Sequence, residues 1–181
     1  MNKKILISIA IISIVSVIFS FYLNQLYKIE TNNKPDFTLG YKATVCAEKN
    51  GVLLGCVPNV LTDTGKDFIE AYLGQGLNQG GARVITVGNG SAPTSTSTSH
   101  PNEITDCGFG RQTGTYQNNG IGWWNVTYTY TSTCSITVNT TGLLNQTGAG
   151  FAYIAGATIT PAVLSSGDTL KITWNITQSE V

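Results

Sequence analysis

The sequence predicts an all-β protein, an antiparallel β-sandwich of jelly-roll or Ig-like type with one short helix, preceded by an N-terminal hydrophobic export helix. Three observations predict it. Apolar residues alternate with polar ones through Phe37–Val45, Trp124–Val138 and Thr169–Thr177, the period of strands buried on one face. The connections between such runs are rich in Gly, Asn, Ser and Thr. Only one segment after the N-terminal stretch has helical periodicity.

In chain order, Lys3 and Lys4 precede a run from Ile5 to Leu23 without a single charge. A positive start followed by about 20 apolar residues fits a membrane-spanning anchor, and equally a secretory signal cleaved near Phe21, where Ser16 and Ser20 are small enough. Either way the rest of the chain lies outside the cytoplasm. A pilin-type signal would want a small residue straight after the lysines, where Ile5 stands. Residues 1–23 are thus a signal peptide or membrane anchor, residues 24–36 an arm or linker, and residues 37–181 the β-sandwich. Within the first part, Phe21, Leu23, Tyr27 and Ile29 share one parity, a weak strand pattern that also suits the end of a membrane helix. Thr31-Asn32-Asn33-Lys34-Pro35-Asp36 follows like a tether.

In the first strand Phe37, Leu39, Tyr41, Ala43 and Val45 face one way, and a hairpin at Asn50-Gly51 turns the chain back. Thr62–Leu73 reads as the helix, with Phe68, Ile69, Tyr72 and Leu73 on one face, Thr64 and Asp67 as a capping box, and Gly74 as the stop. Arg83–Gly88 is a short strand. Asn89–Asn102 is a long Ser/Thr/Pro loop, expected to be mobile or modified. Trp124–Val138 reads as one long strand bent near Ser132, with Trp124, Val126, Tyr128, Tyr130, Cys134, Ile136 and Val138 inward. Phe151–Ile159 and Thr169–Thr177 complete the set, the last with Leu170, Ile172, Trp174 and Ile176 inward.

Composition excludes more than it selects. Ten basic and ten acidic residues cancel, so no basic stripe exists to neutralise phosphates and no nucleic-acid partner is expected. Cys46, Cys56, Cys107 and Cys134 all follow the export segment and would meet an oxidising environment. Of the three possible connectivities, Cys46–Cys56 across the hairpin and Cys107–Cys134 are favoured over the others, with buried free thiols as the alternative. Their spacing matches no zinc site, and no metal or cofactor is expected.

Candidate chemistry is sparse. His100, the single histidine, lies beside Pro101 and is expected to be a solvated loop residue. Glu103 with Asp106, or Asp63, Asp67 and Glu70 along the helix, have the composition for acid–base work or calcium, but helix-start acids ordinarily serve the dipole, and no enzymatic activity is expected. Asn-x-Ser/Thr sequons stand at Asn89, Asn125, Asn139, Asn145 and Asn175, all on polar parities or in turns, so N-glycans at two or more are expected on an exported chain. Trp123 and Tyr116 are expected to be exposed aromatics that could stack on a sugar or pack under the long loop.

Leu61–Ile69, Ile104–Tyr116, Gly142–Asn145 and Leu164–Trp174 together resemble the subunits of archaeal extracellular threads, and the resemblance covers most of the chain after Leu61. The same grammar resembles some phage and viral tail or fibre domains. The thread resemblance implies an exported, glycosylated β-domain that polymerises by donor-strand complementation, in adhesion or cell contact. An extended N-terminal segment of one subunit would fill a groove in the next, either Phe21, Leu23, Tyr27 and Ile29 or, alternatively, the segment with Phe37, Leu39 and Tyr41. The partners implied are further copies of the chain, N-glycans, and the membrane if the first segment is retained. An intersubunit isopeptide bond through Lys42 or Lys66 is conceivable. The rival reading is a monomeric, membrane-anchored surface domain that binds carbohydrate through its exposed aromatics.

Overall fold

Alternation becomes architecture most directly in β1 (Leu39–Lys49), β2 (Val52–Pro58) and their partners, in a computed structural model that describes residues 19–20, 39–75 and 80–180. The N-terminal unit, residues 1–38 with Val181, contributes to these only Phe19 and Ser20, both helical. The second unit, Leu39–Glu180, is an antiparallel sandwich. It continues with β3 (Val60–Leu61), α1 (Asp63–Gly74), β4 (Val84–Gly88), β5 (Gln112–Thr113), β6 (Thr115–Gly120), β7 (Trp123–Thr131), β8 (Ile136–Leu144), β9 (Tyr153–Leu164) and β10 (Thr169–Glu180). Sheet A runs β2-β1-β10-β7-β6 and sheet B runs β3-β9-β8-β4-β5. Among the described residues no helix is long and apolar enough to cross a membrane.

The inward parities expected of β1 and β10 hold. Ala43, Val45 and Ala47 are buried opposite Ile176, Trp174 and Ile172, in a register that runs without a break from Leu39–Glu180 to Lys49–Leu170. Asn50 and Gly51 both take positive φ, as a two-residue hairpin with right-handed strand twist demands. Cys46 and Cys56 stand directly opposite across this hairpin and are bonded, and Cys107 is bonded to Cys134. Two disulfides fit a domain that folds in an oxidising environment.

The run Trp124–Val138 is not one bent strand. Val126 and Tyr130 face the core from β7 in sheet A, but the chain leaves at Ser132 and re-enters as β8 in sheet B, where Val138 is buried. Ser132 is the pivot: its N–H donates to Asp168 O, its carbonyl accepts from Gly167 N–H, and its hydroxyl donates to Cys134 O. Periodicity reports which face is apolar, and both sheets present their apolar face to the same core, so a change of sheet leaves the pattern intact.

The helix is capped two residues earlier than a Thr64/Asp67 box would place it, at Thr62. Thr62, fully buried, accepts the Gly65 N–H at its hydroxyl and donates that hydroxyl to the carbonyls of Tyr153 and Ile154, which fastens the N-terminus of α1 to β9. The fit leaves no room at Gly65, where an added Cβ would lie 2.1 Å from Ile154 O.

Residues 89–102 are ordered over the outer face of sheet B. Ser95 O accepts from Asp63 N–H, Asn102 O accepts from Asn89 N–H, and Pro93 is buried over Gly156. Beneath lies Tyr153, whose ring crosses Gly142 and Gly156, positions where a Cβ would come within 2.5 Å of it. This cover explains why every residue of β4 is buried although the strand lies one place from the sheet edge.

Candidate functional site: an apolar groove beside a free strand edge

At the end of the sandwich where β1 begins, the inner face of sheet A is only partly covered. Tyr41 on β1, Ile176 on β10, Trp124 on β7 and Tyr116 on β6 form a band across four adjacent strands, placed side by side by the pairings Ile176–Trp124 and Tyr116–Val126. The opposite wall is α1, through Phe68, Ile69, Tyr72 and Leu73, with Ile154 at the start of β9. Between the walls lies a groove of about 500 Å³, within the range of specific binding sites.

The groove walls are incompletely buried. Phe68 is 8% exposed and seals the inner part, but Tyr72 is 50%, Leu73 63% and Tyr116 50% exposed. Full burial of one such side chain is worth about 1.5–3 kcal/mol, so an apolar occupant would find a large driving force here. Deeper in, the Tyr41 hydroxyl is buried without a hydrogen-bond partner, and burial pushes its pKa well above the usual phenol value. Along one side runs β6, one of the two edge strands of sheet A, which pairs only with β7. The edge begins at Gly114, whose N–H donates to Arg83 O as the chain crosses from sheet B to sheet A. Arg83 at the rim is exposed, and its guanidinium has no partner among the described residues. An open edge next to an apolar slot is an arrangement that an extended peptide satisfies in both backbone and side chains.

The residues singled out in sequence fall as follows. Phe21, Leu23, Tyr27, Ile29 and Phe37 lie outside the described residues. Leu39 and Tyr41 belong to β1, bonded to β10 through its length and to β2 from Thr44 onward, so that segment is engaged in its own sheet and Tyr41 is a wall of the groove. Tyr116 and Trp123 are both about half exposed, but Tyr116 sits opposite buried Val126 whereas Trp123 pairs with Thr177 on the outer parity. They occupy opposite faces of sheet A and cannot stack on one sugar together.

The sequons do not all face solvent. Asn89 is exposed; Asn125 and Asn175 are half-buried and stand directly opposite each other on the outer face of sheet A; Asn139 is half-buried at a bulge in β8. Asn145 is buried, with its side-chain oxygen accepting the Ala152 N–H, so the expectation of exposure fails there. It fails because Asn145 closes the turn between β8 and β9 with its own side chain. Peptide mapping of native protein is expected to find glycan at Asn89 and none at Asn145, since a glycan on that amide would break the turn.

Among the carboxylates, Glu103 is held by Arg111 in a two-point pair at 2.8 Å and accepts from the Thr86 hydroxyl at 2.8 Å. Burial pushes its pKa up, but the Arg111 and Thr86 hydrogen bonds outweigh this and hold it below the usual carboxylate value. Arg111 in turn lies 3.8 Å from the Phe151 ring centroid. Asp63 pairs with Lys66, within one turn of α1. Among the described residues no group of three or more His, Cys, Asp or Glu is placed to hold a metal ion.

His100 is not solvated. It is 5% exposed, stacked on Tyr153 with centroids 5.9 Å apart, and its ring nitrogens lie 3.3 Å from the Thr86 and 3.1 Å from the Thr140 hydroxyls. A lone loop histidine gives no sequence signal of its partners, which come from β4 and β8. Burial lowers its pKa from 6.5 to about 4; the Glu103 charge opposes this shift and the Arg111 charge adds to it. The folded state therefore keeps His100 neutral where the unfolded chain takes a proton. Its contribution to stability is complete above pH 6.5 and is lost progressively as pH falls toward 4, by up to about 1.4 kcal/mol per pH unit. Thermal melts across this range should show the fall, and His100→Gln should flatten it between pH 6.5 and 5; an unchanged slope in the variant would contradict this burial.

The groove and the free edge were not legible as a site: β6, Thr-Tyr-Gln-Asn-Asn-Gly, has no apolar alternation. One usable signal existed, since the apolar face of α1 extends to Tyr72 and Leu73, beyond what the core covers. No protein-family model, curated protein or solved structure matches this chain.

Proposed function

We propose that this chain is the structural subunit of an extracellular surface filament, of the archaeal thread type, that polymerises head to tail and serves adhesion or cell contact. The N-terminal arm of one copy, residues 21–29, lies along β6 of the next and drops Phe21, Leu23, Tyr27 and Ile29 into the groove. The observation that carries this reading is the coincidence of the free β6 edge with an apolar groove whose walls are about half exposed. An edge strand of this kind is a liability in a monomer and an asset in a polymer. The contact is heterologous, so it propagates into a fibre instead of closing a dimer. Two disulfides and a Thr-rich outer face of sheet A suit a body that works outside the cell, with N-glycans as its covalent additions.

The test is direct. Material released from native cells should pellet as fibres, and N-terminal sequencing should begin near Phe21, freeing the arm. Detergent-soluble monomers with an intact Met1 would overturn the filament reading in favour of an anchored surface domain.

A further inference from the structure

We infer that Asn125 carries a structural N-glycan whose first sugar stacks on the indole of Trp123, and that this glycan excludes a second one from Asn175. The inference rests on the reading of an exported, glycosylated chain and deepens it by naming the site and what holds the sugar there.

The sequon and its platform share one strand. Trp123, Asn125 and Thr127 are alternate residues of β7 and point to the outer face of sheet A, while Val126 between the last two is fully buried in the core. Alternate positions on a strand are about 6.5–7 Å apart, within reach of a sugar ring joined to the Asn125 amide. Trp123 is 47% exposed, a large apolar surface left in water. The polarised C–H bonds on one face of a pyranose meet the negative face of the indole and cover that surface. In forming the link, the Asn125 Nδ2–C1 bond replaces the bond from C1 to the phosphate oxygen of a polyprenyl-phosphate-linked glycan donor, and an Nδ2 proton leaves with the released lipid phosphate.

Asn175 has a sequon on the same face but lacks these features. Its neighbour two positions earlier is Thr173, and its amide donates to Cys46 Sγ at 3.7 Å, whereas the Asn125 amide is engaged by no group among the described residues. β10 lies in the middle of sheet A, between β1 and β7, while β7 lies next to the edge strand. Asn125 and Asn175 are direct cross-strand partners, with Cβ atoms about 4.5–5.5 Å apart, too close for two glycans to stand side by side. The groove, lined by Trp124 of opposite parity, is on the other face of the sheet, so a glycan at Asn125 leaves it open.

The experiment uses full-length protein exported by its native host as wild type, Trp123→Thr, Asn125→Gln and the double variant. Glycopeptide mapping of the wild type should find Asn125 occupied and Asn175 bare. Trp123→Thr should lower the melting midpoint by about 3–5 °C more in protein glycosylated at Asn125 than in the Asn125→Gln background, the mark of a contact between the two positions. Ring protons of the first sugar should resonate upfield in the wild type and lose that shift in Trp123→Thr. Equal falls in both backgrounds would overturn the stacking. Glycan at Asn175, or a bare Asn125 in protein glycosylated at Asn89, would overturn the choice of site. A chain with no glycan at any sequon would overturn the inference together with the glycoprotein reading, whether or not it forms filaments.

Discussion

Leu23→Asp and Tyr27→Asp are each expected to abolish fibre formation while leaving the body, Leu39–Glu180, folded. In the proposed contact both positions enter a groove walled by Phe68, Tyr72, Leu73, Tyr116 and Trp124, whose one lining cation, Arg83, stands at the exposed rim. A carboxylate taken into such a site costs several kcal/mol or forces its own protonation. A penalty of about 4 kcal/mol raises the concentration needed for assembly roughly a thousandfold. Leu23→Ala removes contact area without adding charge and should give weaker but visible fibres. Sedimentation measures the loss, and an unchanged thermal melt of the monomer shows that the recipient fold is intact. Normal fibres from either Asp variant would contradict the assignment of the arm.

Gly65→Ala is expected to destabilise the body and weaken assembly together. In a helix interior this change ordinarily gains about 1 kcal/mol. Here the new methyl would lie 2.1 Å from Ile154 O and 2.8 Å from its carbonyl carbon, backbone atoms of β9 that cannot rotate away. Relief requires α1 to lift, which strains the Thr62 hydrogen bonds to Tyr153 and Ile154. Overpacking of this kind costs about 1–3 kcal/mol. Because α1 is one wall of the groove, its displacement should also loosen the bound arm. Gly74→Ala is the control, since the nearest atom to its added Cβ is the flexible Glu70 carboxylate at 4.0 Å, and no loss is expected there. Equal melts for Gly65→Ala and wild type would show that α1 does not depend on this contact.

Most of the body was readable from alternation because one face of each long strand is dry. Leu170, Ile172, Trp174 and Ile176 are all fully buried, as their parity required, and the Asn50-Gly51 hairpin, with a one-residue bulge at Leu54, brings Cys46 opposite Cys56. Two kinds of feature escaped. Ser132 redirects the chain between sheets without disturbing the apolar pattern, so Trp124–Val138 looked continuous. His100, Asn145 and the loop from Asn89 to Asn102 are buried through hydrogen bonds and glycine-made space contributed by distant strands, and polar residues of this kind look solvent-facing until their partners are known. The groove escaped for a third reason: it depends on which edge the sheet order leaves free, and β6 has a composition that resembles a loop.

A helical reconstruction of filaments purified from native cells tests the account most directly. It should show each sandwich holding, against β6 and between α1 and sheet A, an extended segment contributed by the adjacent subunit, with Phe21, Leu23, Tyr27 and Ile29 turned inward. A reconstruction or crystal in which that groove is filled by residues of the same chain, with bodies joined by some other surface, would contradict it.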